Sequence, residues 1–192
     1  MNTCADDVRD SMPLFRGGRG GATPTSALQL VFAPCNLRRA CLLNNQWHSR
    51  LPNATFGNMQ PYPSVAYMAE FDDIVFAVAI WSRPVSPSLN KYAWIELRRF
   101  AIAPDAPKNT ASRMLGWMVR DVAKRFPEIE KAISYQDTAV HHGTIYKAAG
   151  WVDAFSSNRT RWHLGANAPS KDNSNIITTS EKHRWERNLW MV

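Results

Sequence analysis

Two carboxylates, three histidines and a tyrosine stand where short elements end or turn, and they bound the chemistry this chain can do. Glu96 lies in a strand-like run, Asp137 just past another, and Tyr146 in a short helical segment. His48, His141 and His142 fall in connections. A carboxylate past a strand end sits where open sheets place ligands. There it can take a proton from an amine or cap the next helix, and Asp137 admits both readings. Glu96 is either a base or the partner of Arg98, two residues along the same strand face. His48 and Asp137, with His141 or His142, make a two-histidine, one-carboxylate set of the kind that suits iron, although exposed histidines without a metal are commoner. A second chemistry is anion binding. Lys108 precedes a helix start at Asn109, Thr110, Ala111 and Ser112, where backbone N–H groups point towards an anion such as a pyrophosphate.

Periodicity and punctuation predict the elements that hold these residues. Trp94–Ala103 reads as a strand ended by Pro104 and Pro107. Ala111, Met114, Leu115, Met118, Val122 and Phe126 then recur at helical spacing, and Pro127 stops the helix. Lys131–Tyr135 is a second strand, and a compact helix over His142–Ala149 ends at Gly150. Trp151–Phe155 and Thr160–Leu164 form a closing hairpin. Upstream, Leu28–Phe32 is a strand broken by Pro34, and a helix to about Asn45 carries Leu37, Ala40 and Cys41 on its inner face. Cys35 and Cys41 are placed on that helix, pointing apart. Ser64–Phe71 and Ile74–Trp81 make a hairpin through Asp72-Asp73. Between the helix and this hairpin runs a long loop, residues 46–63, dense in aromatics. Three regions result. Residues 1–26 are a glycine-rich arm, 27–164 the main folded domain, and 165–192 a polar linker with a short helix. The stripe Trp185, Leu189, Val192 on that helix would dock on its own domain or on a second subunit.

Composition narrows the class. At 192 residues, 45% hydrophobic and 20% charged, the chain is long enough for one globular domain with a sizeable core. No apolar run reaches the ~20 residues of a membrane span. The first residues, with Asp6, Asp7 and Asp10, lack a signal-peptide layout. Three scattered cysteines make no disulfide framework, so a cytoplasmic setting is the simple reading. A net charge of +7 favours polyanionic partners, nucleic acid first among them.

Gly143-Thr144-Ile145-Tyr146-Lys147-Ala148-Ala149-Gly150-Trp151 is similar to the Leu-Tyr…Gly-Phe segment of the GNAT acyltransferase superfamily, with Ile-Tyr and Gly-Trp in place. Three segments in order resemble the phage Mom family of DNA-modification proteins. They are Trp47-His48-Ser49-Arg50-Leu51-Pro52, then Glu96-Leu97-Arg98-Arg99 leading to Pro107–Arg113, then Ser134-Tyr135-Gln136-Asp137 with the Tyr146 segment. The resemblance covers about residues 28 to 164. It implies a GNAT-like α/β (α+β) fold, a mixed, mostly antiparallel sheet flanked by helices. It implies an acyltransferase-like enzyme that uses acetyl-CoA to place a methylcarbamoyl-type group on adenine N6 of double-stranded DNA, shielding phage DNA from restriction. Tyr146 would be the acid for the leaving thiolate, with Asp137, Glu96 and His48 as further catalytic positions. Coenzyme A would lie across the splayed strands at Ala103 and Tyr135 and reach Tyr146, its phosphates at Lys108, Asn109, Thr110, Ala111 and Ser112. Trp47, Ser49 and Arg50 would face DNA, with Phe56 and Tyr62 as further rings for an extruded base. Two departures stand out. The family's glycine-containing pyrophosphate loop is replaced by Ala106–Ser112, which has no glycine, and His48 stands where the Mom pattern commonly has tyrosine. A different acceptor (a small amine or a protein) or a binding module without catalysis are the alternative readings.

Overall fold

Alternating apolar residues build one sheet from both ends of the chain. The computed structural model describes residues 23–48, 51–139, 141–157 and 182–190. Its strands are β1 (Val31–Cys35), β2 (Val65–Phe71), β3 (Ile74–Ser82), β4 (Trp94–Ile102), β5 (Lys131–Asp137), β6 (Val152–Ser157) and β7 (Lys182–Asn188). They are ordered β1-β2-β3-β4-β5-β7-β6. Only β4 and β5 run parallel; every other neighbouring pair is antiparallel. Asp72 and Asp73 turn β2 into β3 with φ of 49° and 62°, left-handed values that suit a two-residue hairpin and that Asp tolerates.

Helices cover both faces. On one side lie α1 (Leu37–Trp47) and α2 (Phe56–Met59), on the other α3 (Thr110–Arg125) and α4 (Thr144–Ala148). The Asn36 side chain caps α1 by accepting from the N–H groups of Arg38 and Arg39. Ala40, Leu43 and Met59 pack with Val78, Ile80 and Ala101. Met114, Leu115, Met118 and Tyr146 pack with Trp81, Leu97 and Trp185. β3 thus buries both of its faces, which explains its unbroken apolar run. Among the described residues no helix is long and apolar enough to cross a membrane.

The structure corrects four expectations. Pro34 does not break β1 but sits inside it, tolerated because β1 is an edge strand. Cys35 therefore lies on a strand and only Cys41 on α1; burial pushes the Cys35 thiol up to about 12. The 46–63 connection contains α2. The C-terminal segment is the strand β7, not a helix. A spacing of four allows Trp185 and Leu189 a helical stripe, but pairing on both edges wins: β7 fills the slot between β5 and β6 and buries both side chains. The folded unit therefore runs past residue 164 to at least 190. β6 pairs with β7, while the expected strand at 160–164, the arm at 1–22 and the linker at 165–180 lie outside the described residues.

Candidate active site

A bulge opens the sheet. β4 and β5 pair only from Trp94↔Lys131 to Leu97↔Ser134 and then part. On the other edge of β4 the register with β3 slips, Trp81 facing Leu97 but Ile80 facing Arg99, so Arg98 is the extra residue. The slip also exchanges faces. Ile95 and Leu97 belong to the core under α3, whereas Ala101 belongs to the core under α1. Past Leu97 the β5-side edge of β4 has no ladder partner among the described residues, so its backbone groups face the cleft.

Glu96 stands on the α1 side of this opening and is buried. Its carboxylate accepts the Val85 N–H at 3.0 Å and lies 3.7 Å from Arg98 Nε. Arg98 in turn donates to Ser82 Oγ at 3.2 Å. Burial raises the Glu96 pKa, and Val85, Arg98 and Arg99 only partly offset it. Arg99 donates to Arg98 O and Asn53 Oδ1, while its buried Nε has no acceptor among the described residues. His48 follows α1, and its Nδ1 accepts the Leu51 N–H at 3.2 Å, so the neutral ring carries its proton on Nε2. Burial and the nearby Arg99 and His141 charges lower its pKa. The ring is therefore neutral at pH 7 and acts as a donor.

Tyr146 occupies the opposite face. Its hydroxyl and Ser134 Oγ share a 2.8 Å hydrogen bond, both side chains buried, and its ring stacks on Trp185 at 5.3 Å. Burial raises its pKa, so the hydroxyl keeps its proton. Trp185 Nε1 donates to Gln136 Oε1 at 2.7 Å, and Gln136 donates to His141 O. Asp137 does not cap α4, whose N-cap is Gly143. Its carboxylate accepts the Ala139 N–H at 3.0 Å and its carbonyl the His141 N–H, fixing the loop that carries His141. The trio His48, Asp137 and His141 is not brought together as a metal set. Among the described residues no three His, Cys, Asp or Glu side chains are placed to hold a metal, so iron has no ligand set there.

At the start of α3, Asn109 takes the left-handed conformation, φ 66°, and makes no side-chain cap. Asparagine is among the few residues besides glycine that tolerate this conformation. Thr110 is buried and donates both N–H and Oγ1 to Pro107 O, and Ser112 Oγ donates to Asn109 O. What remains for an anion is the Lys108 ammonium and the backbone of Ala111 and Ser112. Ala103 offers no donor, since its N–H bonds Phe76 O at 2.8 Å. Beside the helix start a shallow groove of about 400 Å³ runs along α3 past Ser112, Arg113, Gly116 and Arg120 to Ala148.

Ser49 and Arg50 lie outside the described residues. Trp47 is partly buried against the α1-side core. Phe56 sits under Arg38 at 4.6 Å, and Tyr62 packs edge-on against Phe126 and bonds Glu128, so neither ring is placed at the cleft. Sequence reasoning assigned no role to Ser134 or Arg99. Two adjacent arginines inside a strand were the available signal, since a strand interior seldom holds such a pair without a bulge or a ligand.

The sequence profile of the Mom protein family matches residues 74–191. No curated protein sequence matches the chain at a significant level. Among solved structures, the ribosomal-protein-S18-alanine N-acetyltransferase from Escherichia coli superposes with a TM-score of 0.58 at 13% identity, covering 83% of this chain and 94% of that one. A GNAT family acetyltransferase from Elizabethkingia anophelis, with acetyl-CoA bound, gives 0.55 at 11% identity over 83% and 98%. Spermidine N-acetyltransferase from Vibrio cholerae, in complex with CoA and spermine, gives 0.55 at 12% identity over 85% and 97%. The fold is that of the GNAT acetyltransferases.

Proposed function

The chain belongs to the Mom protein family, and from that premise we propose that it is an acyltransferase-like enzyme that modifies the N6 amine of adenine in DNA by transfer of the acetyl group of acetyl-CoA, a methylcarbamoyl-type product requiring in addition a nitrogen donor that acetyl-CoA does not supply. The observation that carries the reading is the parting of β4 from β5 with a buried carboxylate on one face and a buried tyrosine–serine pair on the other. Solved structures of the same fold contain acetyl-CoA or CoA. The residues here fit that cofactor. The open edge of β4 offers backbone groups to an amide-bearing chain, and the Asn109 turn aims Lys108 and the first amides of α3 outward for phosphates. Arg113 and Arg120 add positive charge in the adjoining groove.

Acetyl-CoA, when bound, supplies an acyl carbon activated as a thioester. The chain supplies the proton transfers. The N6 amine is a poor nucleophile because its lone pair is shared with the ring, so its proton must leave as the new bond forms. Glu96, with its raised pKa, is the acceptor of that proton. Tyr146 holds its proton at neutral pH and passes it through Ser134 Oγ, which lies at the last paired position of β5, to the thiolate that leaves as the carbon–sulfur bond breaks. His48, a neutral donor, and Asp137, which fixes the His141 loop, are positioning residues. The net charge of +7 draws DNA to the surface that Trp47 and Arg99 border. Adenine modified in this way would shield phage DNA from restriction in the host cytoplasm.

The test is to express the protein in bacteria, digest total DNA to nucleosides and weigh deoxyadenosine, with Glu96→Gln and Tyr146→Phe alongside. The expected result is a heavier deoxyadenosine from wild type that both variants lack. Unshifted nucleosides from folded wild-type protein would overturn the reading.

A further inference from the structure

The sheet face opposite Tyr146 carries a row of side chains that the proton transfers leave unused. At the level where β4 leaves β5, Tyr135 pairs with Arg184 on β7, and Arg184 with Phe155 on β6. The Arg184 guanidinium lies 5.4 Å from the Phe155 ring centroid and 5.9 Å from that of Trp94. Glu186 fixes it there through contacts of 2.9 Å. Lys131 bonds the same carboxylate at 2.7 Å and sits 4.4 Å over Trp94. Phe155 is 52% exposed.

We propose that Tyr135, Arg184 and Phe155 form a stacking platform for an unpaired nucleobase of the DNA acceptor, an inference that rests on the reading that the acceptor is DNA. A planar cation held between two rings, level with an exposed aromatic, is what a flat base stacks on. The row ends at Tyr135, whose environment includes Glu96, so a base lying on it would present its edge to the proposed proton acceptor. Charge favours a phosphate chain over a protein. Arg98, Arg99, Lys131 and Arg184 stand on or beside this face against Glu96 and Glu186, and Glu186 is already engaged by two of those cations. A sheet face cannot reach a base inside a duplex, so the occupant is a base drawn out of its stack.

The experiment uses the whole protein and two fluorescein-labelled duplexes, one fully paired and one with an adenine opposite an abasic site. Wild type should bind the second more tightly. Phe155→Ala should weaken that binding about 5- to 100-fold, leave the paired duplex nearly unchanged and leave acetyl-CoA affinity by calorimetry intact. Phe155→Tyr should restore it. Equal binding of the unpaired adenine by wild type and Phe155→Ala would overturn the platform. So would a wild-type dimer on size exclusion that Phe155→Ala dissociates, which would give the face to a second copy. If wild type modifies cellular DNA and Phe155→Ala does so equally, the platform alone falls; if wild type binds neither duplex and modifies nothing, the DNA reading falls with it.

Discussion

Replacing Gly143 by alanine tests the unit that holds Tyr146. Gly143 caps α4 with φ +71°, and a Cβ there would lie 2.5 Å from Gln136 Oε1 and 2.5 Å from Trp185 Cζ2. Neither atom is a loose end. Gln136 Oε1 accepts the Trp185 indole N–H, and Trp185 is stacked on Tyr146. Left-handed strain on a residue with a Cβ is about 1–2 kcal/mol. Forcing a methyl into a filled site adds about 1–3 kcal/mol. Gly143→Ala should therefore lose about 2–5 kcal/mol, a large part of the ~5–15 kcal/mol of a typical domain. Gly116 offers the matched control. It lies within α3 at an ordinary φ, and its Cβ would meet nothing within 4 Å. There the same substitution should add about 0.5–1 kcal/mol through helix propensity. Urea unfolding reads both, as midpoint shifts of opposite sign at constant slope. A Gly143→Ala midpoint close to that of wild type would refute the claim that the Gln136–Trp185–Tyr146 unit is rigidly packed. Assayed where it is still folded, Gly143→Ala should lose DNA modification while keeping acetyl-CoA affinity.

Three further outcomes are expected. Burial raises the Glu96 pKa, so the folded protein holds this proton more tightly than the unfolded chain. The stability this linkage gives is present below the ordinary carboxylate value of 4.5 and is lost as pH rises through the raised one. Thermal melts should therefore show Glu96→Gln gaining on wild type between pH 4 and pH 8 while staying inactive; a pH-independent difference would contradict the burial argument. Asn109→Gly should unfold within about 0.5 kcal/mol of wild type and keep acetyl-CoA affinity, whereas Asn109→Ala should lose about 1 kcal/mol, because its φ of 66° suits Gly and Asn but not Ala. Tyr146→Phe strands the buried Ser134 hydroxyl, lowering stability by about 1–3 kcal/mol and cutting deoxyadenosine modification ~100-fold or more; full activity would reduce Tyr146 to a packing residue.

Local patterns were legible where one periodicity dominated. α3 follows from its apolar stripe, the β2–β3 hairpin from Asp72-Asp73, and β4 and β5 from their flanking prolines. What could not be read depends on partners distant in sequence. β7 carries too few apolar residues to look like an inner strand, and its identity is set by β5 and β6 on either side. The Tyr146 segment was legible through the resemblance, but the hydrogen-bond partner of that tyrosine, Ser134, became visible only once α4 was folded onto β5. Three residues that suit iron by type are not brought together as a ligand set among the described residues, and their separation in sequence left that open. The missing glycine at the start of α3 suggested a damaged loop, yet Asn109 adopts the left-handed conformation itself.

Strand alternation accounts for how one cleft could hold a base and an acid without their neutralising each other. The proton leaving the amine and the proton reaching the sulfur must be handled on different sides of the reacting carbon. On β4, Leu97 faces α3 and Glu96 the opposite side; on β5, Ser134 faces Tyr146 and Tyr135 turns towards Glu96. Residues one apart in sequence thus serve opposite faces at the same level of the sheet, where the last rung of the β4–β5 ladder is Leu97↔Ser134. The Arg98 bulge makes this usable. Without it the ladder would continue, and the cleft between the two faces would be closed by backbone hydrogen bonds. Deleting Arg98 should therefore make the ladder with β3 continuous, leave Arg99 and Ala101 opposite Ile80 and Val78 on the α1 face, and abolish acetyl-CoA binding by calorimetry. A folded deletion variant that still binds acetyl-CoA would show that the opening of the sheet does not depend on the bulge.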